Sequence, residues 1–394
     1  MMQCYKLSEI YELQLGKTPA RNKTAYWQDG EHAWVSIADL SKCDMYISDT
    51  KERITQFAVD ECGIRIIPAD TLIMSFKLSI GKVAITKKAL FSNEAIMAFI
   101  DKGIIPILPQ YAYYLFSAQK WGEEGNRAVM GTTLNKAALA QYNIRIHSAD
   151  EQAQIIEKLN KLSFLIEKRK QQLEKLDLLV KSQFVEMFGN PASNPMNWDV
   201  VNISSVIKGK VSNGFFAKRE EYCEGGNINV LGVANIVNRM YPNIENLPQA
   251  NGTKDDIDKF GVKYGDMLFC RSSLVADGIG KASVVPHNAP SNILFECHVI
   301  RLPLDLSKCV PEFIQVLSTT EYFRRQIIKQ SKTATMTTIG QEGILKTMII
   351  LPPLGKQKEF FSFIEQTDKS KITIKRSLEK LETLKKALMQ KYFG

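Results

Sequence analysis

The sequence has no run of roughly eighteen uncharged apolar residues, so nothing in it reads as a membrane span. Its first residues, Met1-Met2-Gln3-Cys4-Tyr5-Lys6, lack the basic, apolar and small-residue regions of a secretory signal. Cysteine is scarce and unpaired. The seven residues are scattered, with no C-x-x-C pair, which argues against a disulfide framework and a cysteine-type zinc site. A cytoplasmic protein is expected. The motifs of self-sufficient chemistry are missing too. There is no Asp/Asn-Pro-Pro-Tyr/Phe tetrapeptide of an amino-methyltransferase and no H-E-x-x-H. Gly278-Ile279-Gly280-Lys281 lacks the earlier glycine of a phosphate-binding loop and reads as a tight turn between strands. His32, His147, His287 and His298 stand too far apart to read as a ligand set, and Cys43, Cys62 and Cys270 read as core or surface thiols. A non-catalytic chain with no metal and no cofactor of its own is expected.

What is present is positive charge and a repeat. The 394 residues suggest two or three domains, and 45% hydrophobic content supports ordinary cores. A net charge of +9 favours a polyanionic partner. Residues 131–189 superpose on 336–394 at a constant offset of 205 without a gap. Thr132-Thr133-Leu134 falls on Thr337-Thr338-Ile339, Ile144 on Ile349 and Gln152 on Gln357. Leu173-Glu174-Lys175-Leu176 falls on Leu378-Glu379-Lys380-Leu381, Leu179 on Leu384, and Phe188-Gly189 on Phe393-Gly394. Upstream the halves correspond loosely: Asp70-Thr71-Leu72-Ile73 with Asp266-Met267-Leu268-Phe269, and Ser79-Ile80-Gly81-Lys82 with Gly278-Ile279-Gly280-Lys281. The chain reads as domain, arm, domain, arm. Similar arms imply one shared job; diverged domains imply two ligands.

The arms carry heptads. Leu162, Ile166, Leu173, Leu176 and Val180 form the first seam, and Ile374, Leu378, Leu381 and Leu388 the second. Gly189-Asn190-Pro191 stops the first helix, and Pro352-Pro353 fixes the start of the second. Equal length and register predict an antiparallel intramolecular coiled coil, charged all round its outside, with each helix about 50–60 Å long at 1.5 Å per residue. Ordinary surface helices, each packed on its own domain, are the alternative. Within the domains, β-branched and aromatic runs predict strands near 33–37, 71–76, 82–85, 228–233, 267–271, 282–285 and 298–302. Helices are expected near Tyr111–Gln119, Asn135–Gln141 and Glu312–Ile328.

The ordered series of these motifs resembles the specificity subunit of type I restriction-modification systems along essentially the whole chain. In the first half the resemblance runs through Gly16-Lys17-Thr18-Pro19, Tyr26-Trp27, Trp34-Val35-Ser36-Ile37-Ala38-Asp39, Ile54-Thr55 and Asp70-Thr71-Leu72-Ile73-Met74-Ser75. It continues through Ser79-Ile80-Gly81-Lys82, Asn93-Glu94-Ala95 and Thr132-Thr133-Leu134. In the second half it runs through Asp266-Met267-Leu268, Gly280-Lys281, Thr337-Thr338-Ile339, Leu351-Pro352-Pro353-Leu354 and Gln357. His147-Ser148-Ala149 departs from the Pro-Pro-Leu start of the second arm, and Glu94 stands where the family often has glutamine.

The resemblance implies an α+β fold: two α/β target recognition domains separated by a long antiparallel coiled coil of two helices, in a pseudo-two-fold internal repeat. The boundaries expected are 1–147, 148–190, 191–350 and 351–394. Each domain would read one half of a bipartite double-stranded DNA site. The arms would set the spacer and dock two methyltransferase subunits, which bind S-adenosylmethionine. Two restriction subunits, where present, would bring ATP and magnesium. Phosphate contacts would supply affinity and base edges specificity. The DNA-binding residues expected are Lys17, Arg21, Lys23, Ser36, Lys77 and Lys82 in the first domain. In the second they are Lys210, Lys218, Arg219, Arg271, Ser272, Ser273 and Lys281. Arg271, opening a Ser-Ser-Leu loop, suits bidentate pairing with guanine. The paired threonines of both halves are expected to cap helices, with phosphate contact the alternative. A coiled-coil scaffold without a DNA role explains the arms alone. A recognition pair from another restriction–methylation type shares the DNA reading but not the partner count. A stand-alone nuclease lacks its carboxylate–lysine chemistry. Recovery of a methyltransferase in a pull-down separates these.

Overall fold

A computed structural model describes residues 2–77, 79–121 and 135–394; Thr132, Thr133 and Leu134 lie outside the described residues. The chain divides into two compact units, residues 1–170 with 376–394, and residues 171–375, so each unit contains part of both arm helices.

In the first unit a five-stranded sheet runs in the order Tyr11–Leu15, Ile96–Asp101, Leu72–Ser75, Val83–Thr86, Tyr46–Ile47. Its pairs are antiparallel except the last. Leu72–Ser75 is buried on both faces. The pleat sends Leu72 and Met74 into a core with Tyr111 and Phe116, and Ile73 into another with Val35 and Ala84. A smaller sheet pairs His32–Val35 with Glu52–Ile54 and Phe91–Ser92. The helix Pro109–Ala118 starts on proline, whose missing N–H costs nothing there, and buries Tyr111, Leu115 and Phe116.

The first arm helix spans Ala149–Phe188. Ser148 stands at its start: its amide and hydroxyl donate to the Glu151 carboxylate at 3.0 and 2.8 Å, the carboxylate half of a capping box. In this unit Ile155 and Leu159 enter the core, joined by Leu388, Met389, Tyr392 and Phe393 of the second arm helix, Leu354–Phe393. Leu162 and Ile166 are buried, Leu378 and Leu381 half-buried. Lys170 lies 3.9 Å from Glu382.

The second unit repeats the plan. An antiparallel sheet runs Ser212–Asn213, Val299–Pro303, Asp266–Cys270, Ala282–Val284. A second sheet pairs Ile228–Leu231 with Gln249–Ala250 and Ile293–Phe295, and a third pairs Thr337–Thr338 with Ser272–Ser273 and Lys332–Thr333. The strand Asp199–Asn202 pairs with Met348–Leu351 as Gln3–Lys6 pairs with Asn143–Ile146 in the first unit. Ile349 and Ile144, superposed in the repeat, therefore hold the same place in the ladder, and both are buried. Here the first arm supplies Val180, Phe184 and Phe188 to the core, where Phe188 meets Phe313 at 4.9 Å. Gly189 ends that helix at φ 73°, and Pro195 would stand 2.5 Å from any Cβ placed there. Leu173, Leu176 and Ile374 are half-buried along the seam, and Asp177 accepts Lys371 at 2.7 Å.

Two expectations are corrected. The single helix over Glu312–Ile328 is two, Pro311–Thr319 and Glu321–Gln330. Ser318, Thr319 and Thr320 turn their hydroxyls back onto the preceding carbonyls, and Thr320 caps the second helix through the Phe323 amide. The outside of the arms is not charged all round: Phe164, Leu178, Leu179, Ile372 and Leu384 are exposed on it.

Candidate nucleic-acid interface

In the first domain, Arg21, Lys23 and Lys17 gather around the loop ahead of His32–Val35. The Arg21 guanidinium lies 4.1 Å over the Trp27 ring and 4.9 Å over Trp34, and it grips both oxygens of Glu52. Lys23 pairs with Glu61 at 2.6 Å and donates to the Tyr26 hydroxyl at 2.9 Å. Lys17 donates to the Cys62 carbonyl at 2.6 Å. These cations tie the loop to the helix Gln56–Cys62 and its flanks, and the acid partners screen part of their charge. Glu94 draws Thr18, whose hydroxyl bond is the main reason its carboxyl is held below the usual range, with Lys77 and Arg21 also close enough to act on it. Lys82 donates to the Ser41 hydroxyl at the far end of the short helix Ile37–Leu40. Ser36 caps that helix, its hydroxyl donating to Asp39 at 2.6 Å.

The second domain is organised differently. Arg271 leaves the strand Asp266–Cys270 with its amide bonded to the His298 carbonyl at 2.8 Å and its own carbonyl accepting from Ile339 at 3.0 Å. Its guanidinium donates to the Cys297 carbonyl at 3.2 Å. Ser272 and Ser273 then form a strand against Thr338 and Thr337, and the Ser272 hydroxyl shares a proton with His298 Nδ1 at 2.6 Å. Gln341 reaches Asn213 at 3.2 Å. Arg271, Ser272 and Ser273 are thus brought together with Lys332, His298, Asn213 and Gln341, which the sequence does not mark as DNA contacts, and with Thr338, which it offers as a phosphate contact. The Thr337-Thr338 repeat was the signal for this strand. It is not a helix cap: the threonines pair as β-structure, and Gly340 caps the next helix. Lys281 sits apart, paired with Asp277 at 2.6 Å. Lys210, Lys218 and Arg219 are exposed in the segments flanking Ser212–Asn213.

Beneath the loops, both domains close the same turn. Ser75 donates to Lys82 and accepts from Gly81, both at 2.9 Å; Cys270 donates to Lys281 and accepts from Gly280, both at 2.8 Å. Five residues fill the first loop and nine the second. The base is common, and the tips differ. Among the described residues, no group of three or more His, Cys, Asp or Glu could hold a metal ion.

Two mixed α/β domains in repeat, each with a basic, hydroxyl-rich loop surface and each built onto the same helix pair, define a tandem recognition protein. A profile of the type I restriction modification DNA specificity domain matches residues 2–176 and again 195–386. The chain belongs to that family. It is similar to the type I restriction enzyme MjaIX specificity subunit of Methanocaldococcus jannaschii, with 26% identity covering 98% of this chain and 91% of that one. It is also similar to the StySPI specificity subunit of Salmonella potsdam, with 24% identity covering 73% and 65%. In fold it matches the S subunit of a type I restriction-modification system from M. genitalium, with a TM-score of 0.54 at 13% identity over 100% of this chain and 96% of that one.

Proposed function

We propose that this chain is the DNA-sequence-specificity subunit of a type I restriction-modification enzyme, each domain binding one half of a bipartite target. The observation that carries this is the repeat with a constant base and divergent loops. The same turn closes in both domains, yet the first encloses five residues with Lys77 among them, the second nine that begin with Arg271, Ser272 and Ser273. A scaffold has no need of two different tips on one base.

The chain is non-catalytic in this reading. Two methyltransferase subunits dock on the arms, where exposed Phe164, Leu178, Leu179, Ile372 and Leu384 offer apolar contact, and S-adenosylmethionine is bound by them. Restriction subunits with ATP and magnesium are further partners. The arm helices set the spacer: 40 residues extend about 60 Å, against about 34 Å per turn of B-DNA.

Mapping methylated adenines in a host genome with and without the gene tests the function. The expected result is one bipartite motif that disappears with the gene. Methylation unchanged on deletion, or a continuous motif, overturns it.

A further inference from the structure

The longer loop of the second domain carries a feature that neither packing nor solubility requires. Leu274 and Val275 stand 83% and 65% exposed at its tip. Their backbone is nevertheless firmly held. The Arg324 guanidinium donates to the Ile279 and Asp277 carbonyls at 2.6 and 2.9 Å, and Asp277 pairs with Lys281. Gly278 donates to the Val275 carbonyl at 3.0 Å, and the Val275 amide donates to the Ser273 hydroxyl at 3.3 Å. A half-buried arginine and three further bonds fix a loop whose outermost side chains bury little. Such a loop is built to present them, with little ordering entropy left to lose on contact.

Their surroundings point to the occupant. The same loop starts with Arg271, Ser272 and Ser273, and the adjoining strands add Thr338, Lys332 and the exposed His298. These are donors and acceptors for base edges and phosphates. On a base edge in the major groove the one carbon substituent is the 5-methyl of thymine.

We propose that Leu274 and Val275 read thymine: their side chains contact thymine 5-methyl groups in the second half-site, completing a surface whose polar part is Arg271 and Ser272. This rests on the chain being a specificity subunit. The shorter loop of the first domain, closed on five residues, implies that the two half-sites are read by different means.

The test uses the full chain assembled with its methyltransferase and a duplex of the mapped target, with uracil replacing thymine in one half-site at a time. Uracil keeps every hydrogen-bonding group and lacks only the methyl. The wild type is expected to lose about fourfold in affinity for each contacted methyl removed from the second half-site. Leu274→Ser/Val275→Ser, both surface changes, is expected to bind thymine and uracil duplexes alike, at the wild type's uracil level, with unaltered melting. A second half-site without thymine, a wild type indifferent to uracil there, or a variant equally sensitive to it overturns the inference. So does a variant that fails to assemble with the methyltransferase, which makes the tip a protein contact. In these cases site-specific binding by the wild type survives. Loss of all sequence preference in the wild type overturns the specificity-subunit reading as well.

Discussion

The carboxamide of Gln357 accepts the Val310 amide at 2.8 Å and donates to the Pro352 carbonyl at 2.7 Å. It thereby ties the start of the domain helix Pro311–Thr319 to the start of the second arm. Gln152 repeats the clamp in the first unit, accepting Leu108 at 3.0 Å and donating to His147 at 3.0 Å. Both glutamines are fully buried. Gln357→Ala leaves a buried amide without its acceptor and is expected to destabilise its unit by about 1–3 kcal/mol, as is Gln152→Ala in the other. Thermal unfolding of the single and double variants checks this, with the two costs adding because the sites share no partner.

Arg271→Ala is expected to relax one position of the second half-site, costing about 1–3 kcal/mol of discrimination, and to leave the first half-site as it was. Methylated-site mapping reads both halves in one experiment. A change confined to the first half-site would refute the assignment.

Lys210, Lys218 and Arg219 are exposed cations beside the loops. Replacing all three with glutamine is expected to weaken every DNA sequence alike and reduce the salt slope of log K by about three. Lys23→Gln has a smaller slope effect, because Glu61 already neutralises that lysine. Anisotropy titrations across a salt series distinguish the two.

Stability of the second unit should fall as pH rises from acid. Burial pushes the Asp266 carboxyl up from 3.8 to about 6, and burial likewise raises Glu312. A carboxyl that holds its proton more tightly when folded stabilises the fold below its unfolded pKa, and that stabilisation is lost through its folded pKa. For Asp266 this amounts to about 3 kcal/mol between roughly pH 4 and 6. Glu312 has one oxygen on Tyr241 and the other without a hydrogen-bond partner among the described residues. Glu312→Gln is expected to raise the melting temperature at neutral pH and flatten its pH dependence.

Inserting about one heptad in both arms is expected to lengthen the recognised spacer without altering either half-site. Methylated-site mapping again decides, and an unchanged spacer sinks the idea.

The arms were legible as long helices because apolar residues recur in them at heptad spacing: Leu162 and Ile166 are buried, Leu173, Leu176, Ile374, Leu378 and Leu381 half-buried, while Val180 packs into the core of the second unit. The clamp glutamines were visible as a repeated residue, though not as a joint, since a buried hydrogen bond leaves no periodicity. Seven strands were legible from β-branched runs, with ends shifted by up to two residues, but others, among them Tyr11–Leu15 and Ile96–Asp101 of the first sheet, were not. The break at Thr320 was not, because hydroxyls bonding backward override an apolar pattern that continues across it. The interface was least legible. Charge alone does not tell Arg21, stacked on two tryptophans and gripping Glu52, from Arg219, standing in solvent. Nor does a pattern reveal that Ser272 and Thr338, far apart in sequence, share one small sheet.

Gln152 and Gln357 carry no charge, and this bears on how the protein is used repeatedly. Ionic strength that strips DNA from lysines and arginines acts by screening, and a neutral amide bond buried from water does not respond to it. The fastening between reader and arm therefore outlasts each release. A molecule washed off one site arrives at the next with both joints still set.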